Sequence, residues 1–210
     1  MAPEAERKRL PNVKLSPSNR PLEFWVSPRS KDEFDLAAPY QRGSVWGLGR
    51  RRELVKSLLM GLPIGAVIVS ELPYRAGRAS MRVVDGKQRV ETVTGFVAGA
   101  FTVPGWWFPE DSLTPEAAAK EEVGYADLSQ AGRFRLGNLP FPSLEFNGQV
   151  EYLYRAPGGK NWVTRDRTDE EILALEAEIF ELVNFGGVAH TEADRQRAPD
   201  VAAHPERSEA

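Results

Sequence analysis

The chain has 210 residues, of which 41% are hydrophobic, and a formal net charge of −3. This size suits one domain with tails, and the net charge excludes a global basic field that would hold DNA. The absence of cysteine excludes disulfide scaffolds and thiolate metal sites. No apolar run approaches the roughly 20 residues of a membrane span, and the charged N-terminus lacks the apolar core of a signal peptide. The sequence therefore predicts a soluble, cytoplasmic protein without membrane contact.

The N-terminal part of the chain is predicted to hold a short strand, a helix and a buried strand. Residues 1–20 are polar and charged, which predicts a flexible N-terminal arm. Residues 21–36 read as a short strand and a turn. The leucine stripe of residues 49–60 is typical of a helix, and the β-branched run at residues 64–70 predicts a buried strand.

The middle of the chain continues with a strand at residues 82–84, a turn at Asp85-Gly86 and a helix over residues 88–100. A Thr-Pro pair at residues 114–115 predicts the start of a short helix. Residues 131–163 are rich in Gly, Pro and aromatic residues, which favours short strands and turns.

The last predicted element is a helix that begins after Thr168. Thr168 and Glu171 have the spacing of a capping box, and an apolar stripe follows up to the Asn184-Phe185-Gly186-Gly187 segment. Residues 195–210 are polar and predict a disordered tail. The predicted organisation is therefore an arm at 1–20, one domain at 21–194 and a tail at 195–210.

The segment Asp85-Gly86-Lys87-Gln88-Arg89 contains the residues best suited to ligand binding and catalysis. A strand leads into a glycine turn and then directly into a helix, and the start of a helix attracts anions. Lys87 and Arg89 add positive charge, and Arg89 can bind phosphate with two hydrogen bonds. Asp85 can hold Mg²⁺ or orient a nucleophile, and Gln88 can position a water molecule or a base edge.

The same pentapeptide also fits an ordinary strand, turn and helix with a solvated Asp-Gly turn. Two neighbouring features favour the anion site. The Tyr40-Gln41-Arg42 segment lies upstream, and three arginines, Arg50 to Arg52, occupy the first turn of the predicted helix at 49–60, where a cation is unfavourable unless an anion is near. Trp46, between these features, is a candidate for base stacking.

These residues also resemble a known family. The Tyr40-Gln41-Arg42 box with Trp46, the Gly61-Leu62-Pro63-Ile64 strand entry and the Val83–Arg89 loop are similar, in order and spacing, to the N-terminal domain of GmrSD-type restriction endonucleases, with its D-G-Q-Q-R signature. Phe180, Asn184 and the Gly186-Gly187 pair are similar to the F-x-x-x-N-x-G-G element of that family. The resemblance covers residues 36–194.

The resemblance implies an α+β fold of the ParB/sulfiredoxin-like nuclease superfamily, with a small mixed sheet and flanking helices. It implies a nucleotide site at a helix N-terminus, with the nucleoside triphosphate bound together with Mg²⁺. The nucleotide-binding positions carried over are Tyr40, Gln41, Arg42, Gly86, Lys87, Arg89, Asn184 and Gly187. The positions assigned to catalysis are Asp85, Gln88 and Arg89, with Asp85 as the metal ligand.

The sequence departs from the family pattern at two points. Lys87 stands where the signature has its first Gln. Full-length relatives carry a C-terminal HNH nuclease domain, whereas the only histidines here are His190 and His204, so we expect no HNH nuclease in this chain.

Three functions follow as hypotheses. The first is a nucleotide-binding, NTP-hydrolysing domain related to modification-dependent restriction and phage defence, with DNA or a nuclease as a further partner. The second is a non-catalytic interaction module, encoded by a phage or mobile element, that regulates a host or defence protein. The third is a ParB-like DNA adaptor. The acidic C-terminal part, with 12 Asp and Glu against 5 Lys and Arg in residues 161–210, disfavours it. The sequence leaves turnover, the nucleotide and the oligomeric state open.

Overall fold

The computed structural model describes residues 13–28, 30, 32–41, 46–155, 158 and 161–185. Within these ranges the helices are α1 (Leu22–Val26), α2 (Leu48–Leu59), α3 (Lys87–Val97), α4 (Gln130–Gly137) and α5 (Asp169–Phe185). The strands are β1 (Ser16–Pro21), β2 (Phe34–Asp35), β3 (Val67–Glu71), β4 (Met81–Asp85), β5 (Val103–Pro104), β6 (Glu122–Val123), β7 (Pro140–Asn147), β8 (Val150–Arg155) and β9 (Trp162–Asp166). None of these helices combines the length and apolar character that crossing a bilayer requires.

The central sheet is mixed and has the strand order β1-β7-β3-β4-β2. The β1–β7 and β3–β4 pairs are antiparallel, whereas the β7–β3 and β4–β2 pairs are parallel. Strands β5 with β6 and β8 with β9 form two separate antiparallel ribbons. The predicted α+β class, with a small mixed sheet and flanking helices, is confirmed.

Two hydrophobic clusters cover the two faces of this sheet. Val67, Val69 and Val83 belong to a large cluster with residues from α1, α2 and α3, whereas Ile68 and Val84 belong to a small cluster with residues from α5. Successive strand residues point to opposite faces, so the alternation along β3 and β4 places these helices on opposite sides of the sheet. Strand β4 is therefore buried from both sides at the point where it leads into the Asp85–Arg89 segment.

Several predicted elements are confirmed by the structure. The helix predicted at 49–60 is α2, and the strands predicted at 64–70 and 82–84 are β3 and β4. The helix predicted from residue 88 is α3, which begins at Lys87. The capping box is also present, because the Thr168 amide donates to Glu171 Oε2 at 2.9 Å and the Glu171 amide donates to Thr168 Oγ1 at 3.3 Å.

The structure corrects two predictions at the N-terminal end. Residues 22–26 form helix α1 instead of the predicted strand, because Leu22 and Trp25 are buried three residues apart, which is helical spacing. Residues 16–20, which lie in the predicted flexible arm, belong instead to β1 (Ser16–Pro21), which pairs with β7. The predicted tail at 195–210 and the end of the predicted domain lie outside the described residues.

Two further corrections concern the segment between α3 and β7. The helix predicted after Thr114-Pro115 is a single turn, in which the amides of Ala117 and Ala118 donate to the Thr114 carbonyl. Helix α4 lies in a region predicted to form strands and turns. Its apolar pattern is weak, because Phe134 is exposed and Leu136 is the large apolar residue that it buries.

Candidate functional site

The junction between β4 and α3 depends on a glycine. Gly86 has a φ of +92° and is the N-cap residue of α3, and its carbonyl accepts hydrogen bonds from the amides of Arg89 and Val90. A Cβ atom at this position would lie 2.9 Å from both Val67 Cγ2 and Arg89 Nη1. Both the backbone conformation and the surrounding space therefore require glycine.

The first turn of α3 is suited to an anion. It contains no acidic residue, and no side chain caps it among the described residues. Lys87 is the first residue of the helix, and its Nζ lies 3.9 Å from Glu91 Oε1, a distance that leaves most of its hydrogen-bonding capacity unused. The Lys87 ammonium group thus adds positive charge to the first turns of α3, beside the positive end of the helix dipole.

Arg89 lies against the entry to β3. Its Nη2 is 3.3 Å from Asp85 Oδ2, and its Nη1 is 3.4 Å from the carbonyl oxygen of Ala66. Gly65, with a φ of +75°, brings the backbone close to the same guanidinium group. These hydrogen bonds are longer than the usual 2.9 Å or so. The guanidinium group, in a side chain that is 19% exposed, is therefore held by long hydrogen bonds.

The N-termini of α2 and α3 lie next to each other. The Trp46 amide, directly before the N-cap Gly47 of α2, donates to Gln88 Oε1 at 3.2 Å. The first turn of α2 also lacks an acidic residue and a side-chain cap. Arg50 lies over the Trp46 ring, with its Cζ 4.5 Å from the ring centroid. Two positive helix ends and several cations therefore surround one small region.

Gln41 fixes the end of β4. Its Nε2 donates to the carbonyl oxygens of Val83 at 2.6 Å and Val84 at 2.9 Å, directly before Asp85. Its Oε1 is buried and accepts no hydrogen bond from the described part of the chain. Gln41 of the Tyr40-Gln41-Arg42 box therefore makes a direct contact with the strand that leads into the loop.

Tyr40 points in a different direction, toward α5. Its hydroxyl donates to Glu176 Oε2 at 3.4 Å, and its ring lies against Phe180 with a centroid distance of 5.5 Å. Burial, together with the negative charge of Glu176, holds the pKa of the Tyr40 hydroxyl above its ordinary value. Tyr40 is therefore anchored beneath α5 and does not line the loop.

Three predicted site residues lie away from the loop or outside the described residues. Asn184 lies in the last turn of α5, where its side-chain amide donates to the Phe180 carbonyl at 2.8 Å. The structure does not bring it to the loop. Arg42 and Gly187 lie outside the described residues.

A buried charge network beside the site was not predicted. Glu176 is completely buried, and Arg82 Nη1 donates to its Oε2 at 2.8 Å. Arg82 Nε also donates to Asp35 Oδ2 at 2.8 Å. Burial raises the pKa of Asp35, but the hydrogen bonds from Arg82 and the Ala37 amide outweigh it and lower that pKa. The sequence does hold a signal for this network, since Glu176 interrupts the apolar stripe between Ile172 and Ile179.

The loop contains one carboxylate that could bind a divalent cation. Asp85 is the acidic residue of the loop, and its Oδ2 contacts Arg89. In the described part of the chain, no group of three His, Cys, Asp or Glu residues is arranged to hold a metal. Mg²⁺ is usually bound by one or two carboxylates together with substrate phosphates and water. The residues therefore fit Mg²⁺ only when it arrives with a phosphorylated ligand.

Comparison with known families identifies the chain. The model of the GmrSD restriction endonuclease N-terminal domain matches residues 28–198. The chain belongs to this family. The match contains the Tyr40–Gln41 segment, the Asp85–Arg89 loop and all of α5, so the resemblance predicted for residues 36–194 is confirmed.

No curated protein matches this GmrSD N-terminal domain. Among solved structures it is similar to the C-terminally truncated chromosome-partitioning protein ParB from Caulobacter crescentus, complexed with CTP-gamma-S. The identity is 12% and the TM-score 0.34, over 91% of this chain and 65% of the ParB chain. This chain thus spans less than two thirds of that ParB chain.

Proposed function

We propose that this GmrSD N-terminal domain binds a nucleoside triphosphate, with the phosphates at the β4–α3 junction, as part of modification-dependent restriction or phage defence. One observation carries the proposal. Gly86, in the left-handed conformation, presents the uncapped first turn of α3 beside Lys87 and Arg89, next to the equally uncapped start of α2. Such an arrangement favours a ligand with several negative charges.

Each loop residue has a role in this proposal. Lys87 supplies a point charge to the phosphates, and the Arg89 guanidinium leaves Asp85 and Ala66 to bind two phosphate oxygens. Gly86 lets the backbone approach the ligand closely. Mg²⁺, when bound with the triphosphate, would neutralise phosphate charge, and Asp85 would contact either the metal or the attacking water. Arg42 and Gly187 remain proposed members of the wider site, whereas Tyr40 and Asn184 make their contacts with α5.

Hydrolysis is the second part of the proposal. A water molecule would attack the γ-phosphorus, the bond to the β–γ bridging oxygen would break, and the Asp85 carboxylate would accept the proton of the water. Gln88 would orient that water. Its Oε1 already accepts from the Trp46 amide, which fixes the direction of the side chain.

A specific observation also favours the alternative function, a non-catalytic interaction module. The side chains assigned to turnover already have partners within the protein, since Gln88 accepts from Trp46 and Asp85 contacts Arg89. Lys87 also departs from the family signature at this loop. A module of this kind would bind the triphosphate, or another polyanion, without consuming it, and would regulate a host or defence protein.

Titration calorimetry of the purified protein with ATP, GTP, CTP and UTP in the presence of Mg²⁺ tests binding. We expect one triphosphate to bind, and Arg89→Ala to weaken it by about tenfold or more, because a charge-assisted hydrogen bond contributes about 1.5–3 kcal/mol. Arg89→Lys, which keeps the charge but loses the paired contact, is expected to be intermediate. Arg75→Ala removes an exposed arginine from the β3–β4 connection and should bind like the wild type. Absence of binding by the wild type, or equal binding by Arg89→Ala, contradicts the proposal.

A phosphate-release assay on the same proteins separates the two functions. Release by the wild type that disappears in Asp85→Asn, while binding is retained, identifies a nucleoside triphosphatase. Binding without release by the wild type identifies the interaction module.

A further inference from the structure

We infer that Glu176 and Arg82 are positioning residues for the phosphate loop, acting through Tyr40 and Gln41. The inference rests on the proposed function for the role of the loop, but the contacts that support it are independent of any ligand. A single buried carboxylate on α5 binds both strand β4 and the segment that clamps the end of that strand.

The position of Glu176 is unfavourable for stability alone. Its side chain is completely buried, and its Oε1 has no hydrogen-bond partner in the described part of the chain. Withdrawing a carboxylate and a guanidinium from water costs several kcal/mol for each ion, and an apolar pair at such positions is often as stable or more stable. The flanking residues Ile172, Leu175 and Ile179 show that this face of α5 accepts apolar side chains. The buried pair is therefore better explained by positioning than by stability.

The network leads directly to the loop. Glu176 Oε2 accepts from Arg82 Nη1 and from the Tyr40 hydroxyl. Arg82 lies on β4, three residues before Asp85. Tyr40 precedes Gln41, whose amide binds the last carbonyl oxygens of the same strand before Asp85. The carboxylate thus holds the strand and its clamp in one fixed relation.

A further bond limits the freedom of Arg82. Its Nε donates to Asp35 Oδ2, so the guanidinium group is fixed between β2 and α5. With both carboxylates in place, β4 cannot shift along its axis without breaking a charged hydrogen bond. The two ion pairs of Arg82 therefore set the direction in which the chain leaves β4 and enters Gly86 and the first turn of α3.

The test uses variants that leave neither Glu176 nor Arg82 as an unpaired charge in the interior. Asp35 loses its bond from Arg82 in the double variant, but it is partly exposed and keeps its bond from the Ala37 amide. In Glu176→Leu/Arg82→Met, the unfolding midpoint is expected to equal or exceed that of the wild type. Amide hydrogen exchange in residues 83–89 should nevertheless become about tenfold faster, and the affinity for the triphosphate should fall about tenfold, as when outer-shell partners of a binding site are removed. Tyr40→Phe, which removes one hydroxyl, should show the same changes to a smaller extent, and it serves as the test if the double variant does not fold.

Asp169→Asn is the matched control. It breaks an ion pair between the same helix and the β3–β4 connection, where Asp169 and Arg75 are both exposed, and it does not contact Tyr40. We expect it to leave the exchange of residues 83–89 and the affinity unchanged. The inference is overturned if the amides of residues 83–89 exchange at the wild-type rate in both the double variant and Tyr40→Phe. If the wild type binds no triphosphate, the proposed function fails, while the exchange comparison still decides the inference.

Discussion

At the scale of single residues, Gly86 controls the candidate site. Its φ of +92° turns the chain from β4 into α3 within one residue, and Val67 leaves no space for a side chain. The turn places Lys87 and Arg89 on the first turn of the helix, where the helix dipole adds to their charge. A change at Gly86 therefore affects the backbone, the packing against β3 and the direction of Arg89 at once.

Gly86→Ala is expected to destabilise the protein more than Gly99→Ala. Both glycines have positive φ, and alanine in this conformation costs about 1–2 kcal/mol. At Gly99 no atom lies within 4 Å of the added Cβ, whereas at Gly86 the Cβ meets Val67 and Arg89 at 2.9 Å. Urea unfolding of both variants measures the difference. Equal losses in the free energy of unfolding would show that the space around Gly86 is not limiting.

At the scale of elements, the edge strand β1 is attached to the sheet by a partly buried ion pair. Arg20 on β1 donates from Nε and Nη2 to the two oxygens of Glu145 on β7, at 2.7 Å each. Ser143 Oγ also donates to Glu145 Oε1 at 2.8 Å. These hydrogen bonds, that of Arg20 first, hold the pKa of the Glu145 carboxyl below its ordinary value although burial acts in the opposite direction.

This pair predicts a pH dependence of stability. Because the pKa of Glu145 is lower in the folded than in the unfolded protein, its contribution is fully present above the unfolded pKa of about 4.3 and is lost as the pH falls through the folded pKa. Glu145→Gln should therefore be less stable than the wild type at pH 7, and the difference should shrink as the pH is lowered from 5 toward 3. Urea unfolding across this range measures it. A difference that stays constant with pH would exclude a role for the Glu145 charge.

At the scale of the whole molecule, the two faces of the sheet are unequally supported. Helices α1, α2 and α3 pack into the large cluster, whereas α5 is the described helix on the opposite face, with a small cluster and the Arg82–Glu176 pair. Regions with fewer buried apolar contacts open locally at lower free energy. Among the described helices that flank the sheet, α5, with the predicted Asn184 element at its end, is therefore expected to open locally at the lowest free energy.

Native-state hydrogen exchange tests this difference. We expect the amides around Val90, Val93 and Phe96 in α3 to exchange only through global unfolding. The amides around Leu175 and Ile179 in α5 should exchange at least tenfold faster, by sub-global opening. The same exchange free energy in the two helices would mean that both faces of the sheet unfold as one unit.

The sequence by itself determined the loop, its flanking strand and helix, the capping box of α5 and the family, because each depends on local spacing and on residues with restricted chemistry. It did not determine α4, whose apolar pattern is too weak, or the position of β1, because strand pairing depends on residues more than 100 positions away.

Only the tertiary structure decided which members of the predicted site lie together. Gln41 meets the end of β4, while the neighbouring Tyr40 turns to Glu176 on α5. The two residues lie in a turn, in which the Gln41 amide donates to the Ala38 carbonyl and the two side chains diverge, so sequence proximity could not separate their roles. The hydrogen bond from the Trp46 amide to Gln88 joins the uncapped start of α2 to the uncapped start of α3. This arrangement likewise exists only once the chain has folded.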